Sequence, residues 1–343
     1  MKRHLNTLFI TTQGAYLSKE GETILVRVQD ERKLQMPLHN LAGIVCFGNI
    51  LCSPFLMGAC ARKNVSLSFL TEHGRFLSNV RGPTQGNVLL RREQYRRADH
   101  ADTTQDIARA VVSAKILNTK AFLTRAARKQ EDPEPQDALK RACAVFENTL
   151  RDLKECPSLD VLRGLEGHAA RTYFAVFDHL IRYQKDDFTF YGRSRRPPKD
   201  RVNALLSFLY TILSHDIRAA LECVGLDPAV GYLHRERPGR PSLALDLMEE
   251  FRTYLVDRLV LGLINKKQIQ GTGFTIDESG AVFMDEDTRR TVLVAYQKRK
   301  QETVTHPFLE EKTSVGLLFH LQALLLARFL RGDLDAYPPF ISR

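Results

Sequence analysis

Asp246, Glu249 and Glu250 stand three and four residues apart in the stretch 243–252. On a helix that spacing puts all three carboxylates on one face. Just upstream, residues 231–242 place His234 among Arg235, Arg237 and Arg240. Carboxylate oxygens with one imidazole suit Mg²⁺ or Mn²⁺ better than a thiolate-seeking metal. An ion held there would polarise a phosphodiester while the arginines grip flanking phosphates. The same periodicity also describes the plain polar stripe of an amphipathic helix. An acidic stripe in a basic chain, with a histidine directly before it, favours the chemical reading.

Glu166 is a further carboxylate in an unusual setting. Around the helix surface its neighbours are Leu162, Ala169 and Ala170, and a carboxylate there is costly unless a cation meets it. The bland alternative puts it at the edge of the buried stripe, partnered by Arg163 or Arg171. Gly164 and Gly167 flank it, each costing about 1 kcal/mol relative to alanine in a helix. Something is therefore expected to approach closely at that point.

The charge balance supports a polyanionic partner. Lys and Arg number 50 against 40 Asp and Glu, a net +10, with 34 arginines and 16 lysines. Arginine suits planar, bidentate contact with phosphate. Residues 1–100 hold 14 basic and 7 acidic side chains, so +7 of the surplus lies there. Nucleic acid is the first partner this implies and a membrane surface the second. Arg91, Arg92, Arg96 and Arg97 surround Tyr95, an arrangement able to track a phosphate backbone with the ring free to stack; a solvated helix face has the same pattern. Arg193, Arg195, Arg196 and Arg201 lie around Pro197-Pro198, which forces an extended loop rather than a helix face.

The elements that must position these residues fall into two kinds. Strands are expected at 5–11, 23–28, 44–47, 65–70 and 75–80, with one helix started by Ser53-Pro54. A linker is expected at 82–87. Beyond it, apolar residues recur at helical spacing, giving helices near 88–98, 103–130, 134–154, 158–184, 200–223, 242–260, 286–302 and 313–331, with a small hairpin at 274–284. Ser242 is expected to cap the helix that bears the carboxylates. The fold class is α+β: a small N-terminal β-sheet domain, 1–87, followed by a larger all-α helical domain, 88–343. No apolar run reaches the roughly 18 residues that span a bilayer, and residues 1–7 lack a signal-peptide core. Six scattered cysteines with no C-x-x-C pair read as reduced thiols rather than zinc ligands, in a cytoplasmic protein.

Taken together, 164–167 (Gly-Leu-Glu-Gly), 231–234 (Gly-Tyr-Leu-His) and 243–252 strongly resemble the CRISPR-associated integrase family, the catalytic subunit of the spacer-acquisition complex. The likeness runs along nearly the whole chain. Residues 5–9 with 12–17 resemble the family's opening strands, 68–71 with 74–76 the end of its sheet domain, and Arg196-Pro197-Pro198 with Asp200 and Asn203 the approach to its central helices. The resemblance implies a metal-dependent DNA endonuclease and integrase that inserts foreign DNA fragments into a CRISPR array for antiviral defence. It implies a homodimer that joins a small ferredoxin-like partner and acts on double-stranded DNA, both captured fragment and repeat. It also implies a metal site: Glu166 matches the family's glutamate, His234 its histidine and Glu249 its second carboxylate, where many relatives carry aspartate. Asp246 matches another acidic position and would be an auxiliary ligand. Two other functions compete. One is a non-catalytic nucleic-acid-binding protein with a structural acidic cluster, the other a nuclease on RNA or branched DNA that does not integrate.

Overall fold

The computed structural model describes residues 6–342 apart from Asn64, His73, Arg75, Arg81 and 83–87. Most of the expected linker, together with His4, Leu5, His73 and Arg75, lies outside the described residues.

Among the described residues, eight strands and one α-helix form the N-terminal part: β1 (Asn6–Ile10), β2 (Tyr16–Glu20), β3 (Thr23–Val28), β4 (Glu31–Pro37), β5 (Leu41–Phe47), β6 (Leu51–Cys52), α1 (Pro54–Lys63), β7 (Ser66–Leu70) and β8 (Phe76–Val80). They make two four-stranded sheets, β1-β5-β7-β8 and β4-β3-β2-β6. β1 and β7 both run parallel to β5, while β8 closes the first sheet antiparallel to β7. Ser53 starts α1, its hydroxyl accepting the Leu56 N–H at 3.2 Å. Composition hid β2 and β4, because Lys19, Glu20, Glu31, Arg32 and Lys33 are charges on short or edge strands. Such charges discourage edge-to-edge pairing.

β5 shows why this part does not end at its own core. Its run Leu41–Phe47 is apolar almost throughout, the pattern of a strand covered on both faces. Ile44 and Cys46 pack inward against Leu17, Ile24, Leu56 and Leu67. Val45 and Phe47 face the other way and join the core of the helices, where the Phe47 ring lies 5.7 Å from that of Phe208.

The helical part contains α2 (Val88–Asp99), α3 (Ala101–Arg128), α4 (Pro133–Lys154), α5 (Leu159–Ala175), α6 (Arg201–Val224), α7 (Ser242–Met248), α8 (Arg258–Asn265), α9 (Glu286–Gln301) and α10 (Val315–Leu330). Two small hairpins accompany them: β9 (Phe274–Ile276) with β10 (Val282–Met284), as expected, and β11 (Thr303–Thr305) with β12 (Lys312–Ser314), which the helical spacing did not suggest. Among the described residues no helix is long and apolar enough to cross a membrane.

Two expected helices are corrected. The helix expected over 158–184 ends at Ala175 and gives way to a short 3₁₀ turn, Phe177–Leu180. The one expected over 242–260 is broken into α7, a turn, a π-helical stretch Arg252–Asp257, and α8. A π segment inserts an extra residue per turn and re-aims side chains, a distortion often found at functional sites. Pro241, rather than Ser242, occupies the position before α7. Ser242 is already helical, and its hydroxyl donates to the Arg235 carbonyl at 3.2 Å.

Candidate active site

The break after α7 sends three neighbouring carboxylates in three directions, so they do not share one face. Asp246 points back at the loop 231–234. Its Oδ2 accepts the N–H groups of Tyr232 (2.6 Å) and Leu233 (3.0 Å), and its Oδ1 accepts that of His234 (2.9 Å). Glu250 turns into the protein, accepting from Tyr337 Oη (2.6 Å), Phe340 N (2.7 Å) and Gln322 Nε2 (3.0 Å); burial pushes its carboxyl up to about 7 against those bonds. Glu249 alone faces a cavity of about 140 Å³, which is also lined by Glu166, His234, Lys115, Arg252, Arg193 and Arg195.

His234 is oriented by Asp246. Its Nδ1 lies 2.7 Å from Asp246 Oδ1. A carboxylate that already accepts backbone N–H groups accepts a hydrogen bond from Nδ1–H as well, leaving Nε2 as the nitrogen with a lone pair to offer. Nε2 lies 3.9 Å from Glu249 Oε1. The loop can come this close to α7 because Gly231 has no side chain: a Cβ there would sit 2.7 Å from Ser242 Cβ and 2.9 Å from Asp246 Oδ2.

Glu166 reaches the cavity from α5, whose start is capped by Ser158. Its cation is neither Arg163 nor Arg171. Arg163 donates instead to the Leu233 carbonyl (2.6 Å) and pairs with Asp160 (2.9 Å), tying α5 to the His234 loop. The partner is Lys115 of α3, whose ammonium donates to Glu166 Oε1 and lies 2.8 Å from Glu249 Oε2. Gly164 and Gly167 do not admit a close protein neighbour: nothing lies within 4 Å of a Cβ at 164, and only Arg171 Nη1, at 3.9 Å, near one at 167.

Glu249 is the most enclosed of the group, its side chain 3% exposed against 25% for Glu166. Burial drives its pKa up, but Arg252 (Nε to Oε1, 2.9 Å) and then Lys115 outweigh this and hold it well below the usual carboxylate range. For Lys115, burial acts downward and is overcome by Glu249 and Glu166, which raise it. Behind Arg252 the wall is aromatic and acidic: its guanidinium lies 4.6 Å over the Tyr210 ring. Tyr210 and Tyr173 both donate to Asp257, whose carboxyl burial pushes up to about 6 despite those bonds. Tyr210 is thus a buried residue of the cavity wall.

Among the described residues, no three His, Cys, Asp or Glu side chains already form a cage for a metal ion. The donor set nevertheless fits a hard divalent cation. Glu249 Oε2 is buried and has an ion-pair contact but no well-directed hydrogen bond. His234 Nε2 lies 3.9 Å from the other oxygen of that carboxylate, Oε1, and a cation, the Lys115 ammonium, already stands between the two glutamates.

The family model for CRISPR associated protein Cas1 matches residues 8–298. The chain belongs to that family. It is 57% identical over 343 residues, all of both chains, to CRISPR-associated endonuclease Cas1 1 of Chlorobaculum tepidum. In fold it is similar to a casposase bound to integration product, with a TM-score of 0.83 and 22% identity over 97% of this chain and 93% of that one. It is also similar to a chain of a Cas6-RT-Cas1--Cas2 complex, with a TM-score of 0.84 and 21% identity over 99% of this chain and 36% of that longer one. The two parts of this chain, a sheet region followed by helices, make up the fold that these structures match.

The expected arginines take different places. Arg193 is inward, donating to Ser194 O, Asn203 Oδ1 and Ser207 Oγ, with Arg195 beside it at the cavity. Arg196 is exposed on the same loop. Arg235 is exposed and pairs with Asp160 at 3.0 Å, while Arg237 is exposed nearby. On α2, Arg97 and Arg96 pair with Glu93 (2.8 and 3.7 Å), Arg92 is exposed and Arg91 half-buried. Tyr95 is tethered through its hydroxyl to Asp227 at 3.0 Å. Lys115, Arg252 and Asp257 were missed by reading the sequence. For Lys115 the signal was there: it sits four residues from Val111 and from Thr119, both buried on α3, and a lysine at such a position needs a carboxylate partner. Among the described residues no two cysteines form a disulfide, and burial pushes Cys52 up to about 11 and Cys60 to about 12.

Proposed function

We propose that this chain is a metal-dependent DNA endonuclease and integrase that inserts short foreign DNA fragments into a CRISPR array, working as a homodimer with a small ferredoxin-like partner. The observation that carries this reading is that Glu166, His234 and Glu249 line one arginine-bearing cavity, where the Lys115 ammonium contacts both glutamates and His234 Nε2 lies 3.9 Å from Glu249 Oε1. Family membership and the likeness to an integration-product complex support it.

Glu166, His234 and Glu249 would hold the Mg²⁺ or Mn²⁺, with Asp246 fixing the imidazole rather than offering a free oxygen. When bound, such an ion supplies Lewis acidity at a phosphoryl oxygen and steadies a leaving alkoxide. In integration, the 3′-hydroxyl of the captured fragment attacks a phosphodiester at the repeat boundary. One P–O bond forms, the P–O bond to the target strand's 3′-oxygen breaks, and the proton lost by the attacking hydroxyl is balanced, through solvent, by the one that makes the released oxygen a 3′-hydroxyl. In cleavage, water takes the hydroxyl's place. Arg193 and Arg195 lie where flanking phosphates would enter, and Arg252 offsets charge beside Glu249. The exposed Arg92, Arg196, Arg235 and Arg237, with Arg91, Arg96 and Arg97 on α2, are the candidates for gripping the duplex backbone.

The test combines the chain, its small partner, a short duplex and a repeat-bearing plasmid with Mn²⁺. Branched products joined at the repeat are expected from the unaltered chain and none from Glu166→Gln or His234→Ala, with DNA affinity within a few-fold of the parent. Strand transfer retained in both variants would reduce the cluster to a structural one. Cleavage without branched products would leave a nuclease that does not integrate.

A further inference from the structure

Lys115 has no role in that reaction scheme, yet it occupies the centre of the site. Its ammonium contacts both glutamates proposed as metal ligands, donating to Glu166 Oε1 and lying 2.8 Å from Glu249 Oε2. Arg252 differs: it pairs with Glu249 Oε1 and its guanidinium is held over the Tyr210 ring. Lys115 is therefore the cation that bridges α3, α5 and the end of α7.

We propose that Lys115 is a built-in counter-ion of the metal-free site, and that it must leave its position when a divalent ion binds, so that it sets the metal affinity. The inference rests on reading Glu166, His234 and Glu249 as ligands. A divalent ion lies about 2.0–2.2 Å from each ligating oxygen. An ammonium on those same oxygens would compete for their lone pairs and stand close to a second positive charge in an enclosed setting, where repulsion is strong. Both cannot occupy the point between Glu166 and Glu249. Lysine is suited to yield: its charge is compact and its stem has four rotatable methylenes. Its side chain is 15% exposed and lines the cavity into which it would swing. In the metal-free protein the same ammonium relieves the repulsion between the two glutamates, one of them almost wholly buried.

The experiment is a calorimetric Mn²⁺ titration of the metal-stripped full-length chain, paired with thermal melts with and without Mn²⁺. The variants are Lys115→Met, Lys115→Gln and Lys115→Arg, with Glu166→Gln as a control. Lys115→Met and Lys115→Gln are expected to bind Mn²⁺ at least about ten-fold tighter than the parent, because no ion pair is broken and no like charge opposes entry. Lys115→Arg, which keeps the charge, should bind no tighter. Without metal, Lys115→Met should melt below the parent, and Mn²⁺ should raise its melting point by more than it raises the parent's. Should Lys115→Met fail to fold, Lys115→Gln carries the comparison, since its amide can still donate to both carboxylates. Equal or weaker Mn²⁺ binding in the neutral variants, with binding lost in Glu166→Gln, overturns the counter-ion role and leaves the ligand reading standing. Absence of Mn²⁺ binding in the parent and in both neutral variants overturns the two together.

Discussion

His234 Nδ1 lies 2.7 Å from Asp246 Oδ1, and the same carboxylate accepts the backbone N–H groups of Tyr232, Leu233 and His234 itself. One side chain, itself 1% exposed, thus fixes both the loop and the ring it carries. Asp246→Asn replaces an acceptor oxygen with a donor that faces donors. Activity is expected to fall ten- to a hundred-fold, as when the hydrogen-bond partner behind a ligating histidine is lost. Stability should fall by about 1–3 kcal/mol, because buried N–H groups lose their acceptor. His234→Ala should lower activity at least as far but stability less, since the backbone bonds to Asp246 survive. Single-turnover cleavage rates and urea unfolding of the two variants check this, and equal effects on both readouts would remove the division of labour.

The arginines divide by burial. Arg237 is exposed, so Arg237→Ala should weaken DNA binding at every sequence and reduce the salt slope by about 1, with the melting point almost unchanged. Arg193 donates to Asn203, Ser207 and Ser194. Arg193→Ala should lower the melting point because Ser207 Oγ loses both guanidinium donors and Asn203 Oδ1 keeps only the Ser194 N–H. Fluorescence anisotropy over a salt series beside a thermal melt separates the two; a salt slope unchanged in Arg237→Ala would take that residue out of the DNA interface.

What the sequence could disclose follows from the range of each interaction. The order of strands then helices was legible because hydrophobic period and turn residues are local signals. So was Ser53-Pro54, a cap whose hydroxyl reaches only three residues along. The break after Met248 was not, because nothing in 249–257 is a helix breaker. The turn is held by distant partners such as Tyr337 and Phe340 on Glu250, and Tyr173 and Tyr210 on Asp257. For the same reason three carboxylates at helical spacing were read as one face. Lys115 stayed hidden since its partners lie 51 and 134 positions away. A single unpaired charge in an apolar stripe announces that a partner exists without naming it.

His215 supplies a pH test away from the site. Burial first, and Arg218 second, push it down to about 4 from 6.5, against the pull of Asp216. Between those values the unfolded chain binds more protons than the folded one, so stability rises with pH across the window. The contribution is fully present above 6.5 and is lost as pH falls towards 4. A full shift of that size is about 3 kcal/mol; partial exposure trims it to on the order of 2 kcal/mol. His215→Phe cannot titrate and keeps a ring beside Phe76, whose centroid lies 5.2 Å from the imidazole. Relative to the parent, the variant should therefore gain stability as the buffer is acidified from 6.5 to 4. A stability difference that stays constant over that range, measured by chemical denaturation, would mean the imidazole is not held unprotonated by the fold.

A buried ion pair between two helices also reaches the sheet region through Thr7. Lys300 Nζ of α9 lies 2.8 Å from Asp216 Oδ2 of α6 and 3.3 Å from Thr7 Oγ1 of β1. Tyr296 Oη donates to the same Asp216 oxygen at 2.8 Å, and Gln297 Nε2 donates to the Thr7 carbonyl at 2.5 Å. Lys300 is 5% exposed, so water offers little compensation once the pair is cut. Lys300→Met should therefore destabilise by about 3–5 kcal/mol, mostly through the charge left on Asp216. Asp216→Asn removes that charge while keeping an oxygen for Tyr296, so adding it to Lys300→Met should restore about half the loss. A double-mutant cycle by urea unfolding should then give a coupling of at least about 1.5 kcal/mol, half of the smallest loss expected for Lys300→Met. Additive effects within about 0.3–0.5 kcal/mol would mean that Lys300 and Asp216 do not act as a pair.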